Sequence, residues 1–139
     1  MLARQATQDI QSDVRLAHLT PNERAALTAL VERLRQHYGD DLLRVALFGS
    51  KARGDFDDES DLDVLIVARI PDADYWQHRQ EIVNLTTDLM LEYGPVISPL
   101  INDEAAYIQL RQWNTLLNRN IERDGVELWS STPSMLSFA

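Results

Sequence analysis

The chain has 139 residues, of which 45% are hydrophobic and 25% are charged, and it contains no cysteine. These values predict one soluble globular domain, and they exclude a disordered chain and a disulfide framework. The formal net charge of -9 argues against direct binding of a nucleic-acid backbone, because such binding draws on clustered Lys and Arg. No signal-peptide core or apolar run of spanning length is present, so we expect a cytoplasmic protein without membrane contact.

The first 19 residues show no clear hydrophobic period, and we expect an N-terminal arm or a frayed helix over 1–19. The first clear element begins at Thr20, where a capping residue is followed by a proline and, three residues on, by Glu23. Apolar residues then recur at helical spacing and predict a helix that ends at Gly39. The residues of this stripe are Leu27, Leu30, Val31, Leu34 and Tyr38.

Short apolar runs at 42–48 and 62–67 predict two buried strands, with a polar loop between them. A long amphipathic helix is expected through 82–90 and ends at Gly94. A third strand is expected at 96–101, where Pro99 favours an edge position.

After a cap at Asn102 or Asp103, apolar residues recur at helical spacing, and this helical stretch ends at Gly125. Residues 126–129 can add a short strand. This order of elements places the main domain at 20–129, followed by a C-terminal tail at 130–139.

Two carboxylates stand at the start of the second predicted strand. Asp61 and Asp63 are two residues apart and therefore share one face of the strand, while Leu62, Val64 and Ile66 point into the core. Adjacent carboxylates repel each other unless a cation lies between them. A hard divalent ion with oxygen ligands, most simply Mg²⁺, is the expected occupant.

A Gly-Ser pair stands at the end of the first predicted strand. Gly49 permits a tight turn whose backbone N–H groups approach an anion, and Ser50 adds a hydroxyl and can cap a short helix there. Arg53 lies within one turn of Ser50 and could reach the same phosphates. A phosphate site beside a magnesium site is what metal-assisted phosphoryl or nucleotidyl transfer requires.

Other motifs fit the same residues less well. A P-loop would need lysine where Asp55 stands, and an EF-hand starting at Asp55 would need glycine at Ser60 and glutamate at Ile66. A solvated acidic loop over 55–63 would explain the charges but not the preceding strand and Gly-Ser turn. We expect the solvated part of the loop to be Asp55, Asp57, Asp58 and Glu59.

Gly49-Ser50, ten further residues and Asp61-Leu62-Asp63 resemble the signature of the polymerase-beta-type nucleotidyltransferase superfamily. The run Gly-Ser-Lys-Ala-Arg-Gly resembles its small prokaryotic members, the minimal nucleotidyltransferases. The resemblance implies an α+β fold with a small mixed β-sheet flanked by helices, ATP or another nucleoside triphosphate as substrate, and two Mg²⁺ ions. It also implies that Gly49 and Ser50 hold the triphosphate, that Arg53 contacts phosphate, and that Asp61 and Asp63 are catalytic Mg²⁺ ligands.

The resemblance implies transfer of a nucleoside monophosphate, AMP in the case of ATP, to a hydroxyl acceptor. Small relatives are often antitoxins, which implies a HEPN-type protein as a possible partner and acceptor. Enzymes of this kind usually place a third carboxylate on a later strand. The predicted strand 96–101 has none, since its polar members are Ser98 and the adjoining Asn102. The nearby acids that lack the strand context are Asp88, Glu92, Asp103 and Glu104.

Two main hypotheses therefore stand side by side, and a third reading is a scaffold that binds a partner through the tail at 130–139. The first is an enzyme that transfers the nucleotide. The second is a catalytically weak nucleotide-binding antitoxin or regulatory subunit that acts by binding its partner. No pair among His18, His37 and His78 has the spacing of metal ligands, and we expect these histidines at the surface or at helix ends.

Overall fold

A computed structural model describes residues 10–55 and 60–131 of the chain. The α-helices with both ends inside these ranges are α1 (Pro21–Tyr38), α2 (Ser50–Arg53), α3 (Tyr75–Tyr93), α4 (Glu104–Gln112) and α5 (Leu116–Asp124). The strands are β1 (Leu42–Phe48), β2 (Leu62–Ala68), β3 (Ile97–Asp103) and β4 (Val126–Ser130). Within the described ranges, no helix has the length and apolar character needed to cross a lipid bilayer.

Helix α1 begins where the capping signal predicts. The side chain of Thr20 accepts a hydrogen bond from the backbone N–H of Glu23 at 3.1 Å, and the carboxylate of Glu23 accepts one from the N–H of Thr20 at 2.9 Å. These two bonds form a capping box, which satisfies donors that the first turn of a helix would otherwise leave without a partner. All five residues of the predicted apolar stripe are buried.

The four strands form one mixed sheet in the order β3-β2-β1-β4. β1 is antiparallel to both β2 and β4, whereas β2 and β3 are parallel. The predicted α+β class, a small mixed sheet flanked by helices, is confirmed. β3 lies at an edge of the sheet, as Pro99 indicated, because proline cannot donate a hydrogen bond to a second neighbouring strand.

Each face of the sheet packs against helices. Helices α1 and α3 cover the face that carries the larger apolar core, to which β2 contributes Leu62, Val64 and Ile66. Helices α4 and α5 cover the opposite face through Tyr107 and Ile121, which pack against a smaller core. Asp63 lies on that second face, because side chains alternate along β2. The carboxylate pair is therefore held at the end of a strand that is buried on both sides.

The segment before α1 packs more closely than an arm or frayed helix would. Ile10, Leu16 and Leu19 are buried in the larger core, since this segment folds back beside α1. At the other end, Ser130 belongs to β4. The remainder of the predicted arm and tail, residues 1–9 and 132–139, lies outside the described residues.

Two predicted boundaries are wrong. The third strand continues past residue 101 to Asp103, because Asn102 and Asp103 still pair with the end of β2 despite being polar. The helical period that follows is divided into α4 and α5, because Asn114 adopts a φ of 48° and Thr115 caps a new helix by accepting a hydrogen bond from Asn118 N–H.

Candidate active site

The Gly-Ser turn lies against the carboxylate pair because of the strand register. Phe48, the last residue of β1, pairs with Asp63 of β2, so the chain turns immediately beside Asp63. Gly49 has a φ of 76°, which side chains disfavour. A Cβ built on Gly49 would overlap Oδ2 of Asp63 and lie 3.3 Å from its Cγ. Glycine therefore allows this close approach.

Helix α2 is a single turn that begins at Ser50. The backbone N–H groups of Ala52 and Arg53 each donate to the carbonyl of Gly49 at 3.1 Å, and Gly49 is the cap. The expectation that Ser50 caps this helix is wrong, because Gly49 supplies the non-helical conformation and Ser50 is the first helical residue. The first N–H groups of a helical turn have no acceptor within the turn, which makes such a turn suitable for phosphate.

The two carboxylates influence each other as the alternation predicts. Burial raises the pKa of Asp63, and the negative charge of Asp61 raises it further, while Arg53 acts in the opposite direction. A fixed pair of carboxylates with this mutual repulsion offers the hard oxygen donors that Mg²⁺ prefers, so the donor chemistry fits the implied metal.

Ser98 occupies the place on β3 beside the pair. The parallel register sets Ser98 opposite Asp63, and the Ser98 hydroxyl donates a hydrogen bond to Oδ2 of Asp61 at 2.9 Å. The neighbouring strand thus provides a hydroxyl where an acidic residue would extend the donor set. The bond fixes the orientation of the Asp61 carboxylate.

The prediction that the later strand lacks a carboxylate needs a correction, because Asp103 lies within β3. It pairs with Ala68, at the far end of the sheet from Asp63, and it caps α4 by accepting a hydrogen bond from Ala106 N–H at 2.7 Å. Within 10–55 and 60–131, no third His, Asp or Glu joins Asp61 and Asp63 within metal-ligand reach. The other loop acids, Asp57, Asp58 and Glu59, lie outside the described residues.

Arg53 lies near the pair, at the end of α2. Its Nε donates to both oxygens of Asp55, at 3.1 and 3.2 Å, and its side chain is 37% exposed. The positive charge of Arg53 acts on Asp63 and also on Asp124, at the end of α5. The arginine is thus close to the carboxylates while its only described carboxylate partner, Asp55, is exposed.

A buried ion pair beneath the turn could not be predicted from the sequence motifs. Lys51 Nζ lies 2.7 Å from Oε2 of Glu23, and these side chains are only 5% and 8% exposed. His18 Nε2 donates to the backbone carbonyl of Lys51. Burial opposes ionisation of Glu23, but hydrogen bonds from Lys51 and Thr20 outweigh it and lower the pKa of the carboxyl. The start of α1 and the segment before it therefore anchor α2.

The sequence profile of the nucleotidyltransferase domain family matches residues 27–110. The chain belongs to this family. The match extends from within α1 to within α4 and includes the Gly-Ser turn, both aspartates and Ser98. The protein is thus a nucleotidyltransferase. The candidate site lies within the matched residues, whereas Glu23 and His18 precede them.

Two relatives of this nucleotidyltransferase come from Methanocaldococcus jannaschii, and each is named as a candidate protein adenylyltransferase. One is 35% identical over 108 residues, which is 78% of this chain and 99% of the relative. The other is 45% identical over 62 residues, 45% of this chain and 61% of the relative.

Among solved structures, a chain of a toxin–antitoxin complex with AMP-PNP is similar to this nucleotidyltransferase. It is 19% identical, with a TM-score of 0.48, and the alignment covers 76% of this chain and 75% of that chain. At that score the likeness supports no conclusion about partner or substrate.

Proposed function

We propose that this nucleotidyltransferase uses Mg²⁺ and ATP to transfer AMP to a hydroxyl group on a protein. The observation that carries the proposal is the contact between the Gly49 turn and Asp63, since it brings an anion-binding turn against a pair of metal-binding carboxylates. The names of both relatives, which describe protein adenylyltransferases, support AMP as the transferred group and a protein as the acceptor.

In the proposed reaction, the acceptor hydroxyl oxygen attacks the α-phosphorus of ATP. A new oxygen–phosphorus bond forms, the bond between the α-phosphorus and the bridging oxygen breaks, and pyrophosphate leaves while the hydroxyl proton passes to water. Gly49 and Ser50 hold the triphosphate through the turn, and Arg53 neutralises part of its charge after exchanging Asp55 for phosphate.

Asp61 and Asp63 would hold Mg²⁺, and Ser98 would keep Asp61 oriented for this task. When bound, the metal supplies positive charge that stabilises the transferring phosphoryl group and the departing pyrophosphate. The two carboxylates and the hydroxyl of Ser98 provide oxygen donors only, which suits magnesium better than a softer metal.

The acceptor that we propose is a HEPN-type partner protein, as the resemblance to the minimal nucleotidyltransferases implies. The experiment is incubation of the enzyme with Mg²⁺, ATP labelled at the α-phosphorus and a purified HEPN-type protein. Label retained on the partner after denaturing electrophoresis is the expected result. A γ-labelled ATP control should leave the partner unlabelled, because pyrophosphate carries that label away.

Asp61→Asn and Asp63→Asn are each expected to lower the transfer rate by a factor of about 10³, because each removes a negative ligand of the metal. Asp88→Asn is the matched control, since Asp88 is exposed on α3 and should retain the wild-type rate. Equal rates in all three variants would contradict the assignment of Asp61 and Asp63.

A nucleotide-binding regulator is the second candidate, and the presence of Ser98 beside Asp63 favours it, because a hydroxyl cannot supply the negative charge of a third carboxylate. This candidate predicts nucleotide binding and partner binding without label transfer. The same assay therefore separates the two functions.

A further inference from the structure

Two helices bring three metal-binding side chains together at the end of α1 that lies away from the turn. His37 comes from α1, and His78 and Glu81 come from the first turns of α3. Their ligand atoms all lie within 4.8 Å of one another. The expectation that no histidines pair in a metal site rested on spacing along the chain, and it missed this cluster because the packing of α1 against α3 creates it.

The distances in the cluster suit a tetrahedral transition metal. His37 Nε2 lies 3.0 Å from Oε2 of Glu81, and His78 Nδ1 lies 3.7 Å from the same oxygen. Bonds of about 2.0–2.1 Å to a tetrahedral Zn²⁺ place two ligand atoms roughly 3.3 Å apart. We propose that His37, His78 and Glu81 bind Zn²⁺, with a water at the fourth position.

The side chains can receive an ion from solvent. His37 and Glu81 are 50% and 39% exposed, and both line an open cleft of about 180 Å³ between the helices. Arg33 lines the same cleft, but its guanidinium is directed to Glu92 at 2.9 Å. The positive side chain that lines the cleft, Arg33, is thus already paired with an acid outside the cluster.

Binding replaces contacts that the cluster makes without metal. Glu81 exchanges its hydrogen bond with His37 for a shared ion, and His78 Nδ1 gives up its 3.1 Å hydrogen bond with the hydroxyl of Tyr38. Both exchanges leave the backbone of α1 and α3 in place. The site needs only local side-chain movement, because the three donors already converge.

The zinc site is separate from the aspartate pair in place and in chemistry. Glu23, which contacts α2 beside the turn, and His37 are separated along α1 by about 21 Å at 1.5 Å per residue. Imidazole ligands favour Zn²⁺ over Mg²⁺, whereas Asp61 and Asp63 offer oxygen only. Bound zinc would join α1 to α3 and stabilise the layer that supports the sheet.

The test uses the 139-residue chain without a polyhistidine tag and with both Asp61→Asn and Asp63→Asn, so that the active-site carboxylates cannot bind the probe. Zn²⁺ is titrated against a chromophoric chelator, and melting temperature is measured with and without one equivalent of Zn²⁺. We expect 1:1 binding and a higher melting temperature with Zn²⁺, and no comparable effect of Mg²⁺.

His37→Gln and His78→Gln, introduced separately into this host, remove one ligand each. The expected loss of Zn²⁺ affinity is at least as large as the roughly 10- to 100-fold cost of removing an outer-shell partner. Asp88→Asn is the matched control, because Asp88 is exposed on α3 outside the cluster and should leave affinity unchanged. Affinity unchanged by either histidine substitution, or Zn²⁺ bound no better than Mg²⁺, would overturn the proposal.

Discussion

Gly49 determines how closely the turn approaches the carboxylate pair of Asp61 and Asp63. The residue combines a positive φ with a position at which any side chain would overlap the carboxylate of Asp63. Steric exclusion and backbone conformation thus select glycine independently. The steric requirement cannot be predicted from the sequence, because it depends on the antiparallel register that sets Phe48 beside Asp63.

Gly49→Ala is expected to destabilise the fold by about 1–3 kcal/mol and to displace Asp63, which lowers transfer more than stability alone explains. Chemical denaturation and the labelling assay measure the two effects. Gly39→Ala is the control, since Gly39 also has a positive φ, 55°, but a Cβ there would meet nothing within 4 Å. Equal losses of activity in the two variants would show that contact with Asp63 is irrelevant.

The aspartates themselves could be identified from sequence because their spacing matches the two-residue period of a strand. The hydrogen bond from Ser98 to Asp61 could not be predicted from sequence, because it depends on which residue of β3 pairs with Asp63. The register is set by the pairing of two strands, so the sequence of one strand does not determine it.

At the scale of elements, the start of α1 anchors α2 through a buried ion pair. The buried pair of Glu23 and Lys51 joins the two helices, and the same Glu23 completes the capping box of α1. The capping motif identified Glu23 as a helix start signal but not its contact with Lys51. Glu23 therefore both caps the start of α1 and supports the Gly49 turn through Lys51.

Lys51→Met is expected to cost about 3 kcal/mol of unfolding free energy, because it leaves the carboxylate of Glu23 buried without its cation. Denaturant unfolding of Lys51→Met, Glu23→Gln and the double variant gives the coupling energy. The exposed pair of Arg33 and Glu92 is the control, and Arg33→Met should cost less than about 1 kcal/mol. A coupling energy near zero for the buried pair would contradict its anchoring role.

The same pair has a pH signature. Because the pKa of Glu23 is lowered below 4.5 in the folded protein, its contribution to stability is complete above that value and is lost as the pH falls through the folded-state pKa. The stability difference between wild type and Glu23→Gln should therefore shrink as the pH falls below 4.5. A difference that stays constant there would exclude the ionised carboxylate as its source.

Helix and strand positions were largely predictable, for local reasons. A capping box begins α1, glycines end α1 and α3, and mainly apolar runs mark β1 and β2. The exceptions have tertiary causes. β3 is longer than its apolar part because pairing with β2 continues through polar residues, and Asn114 divides the last helical stretch by adopting a positive φ.

At the scale of the whole molecule, two clusters of candidate ligands form in different ways. Asp61, Asp63 and the Gly49 turn meet at one end of β1 and β2, and His37 meets His78 and Glu81 between α1 and α3. The proximity of the Gly49 turn to Asp63 could be predicted, because strand, turn and strand follow one another in the chain. The cluster of His37, His78 and Glu81 could not be predicted, because about 40 residues separate its two histidines along the chain.

The central claim is that Asp61 and Asp63 hold the magnesium that accompanies the nucleotide, and titration calorimetry tests it most directly. A non-hydrolysable ATP analogue is titrated into wild type and Asp63→Asn, with and without Mg²⁺. We predict that Mg²⁺ strengthens binding to wild type by about tenfold or more. For Asp63→Asn we predict no such gain, and metal-free binding at least as tight, because one negative charge beside the triphosphate is gone. An equal Mg²⁺-dependent gain in both proteins would contradict the account.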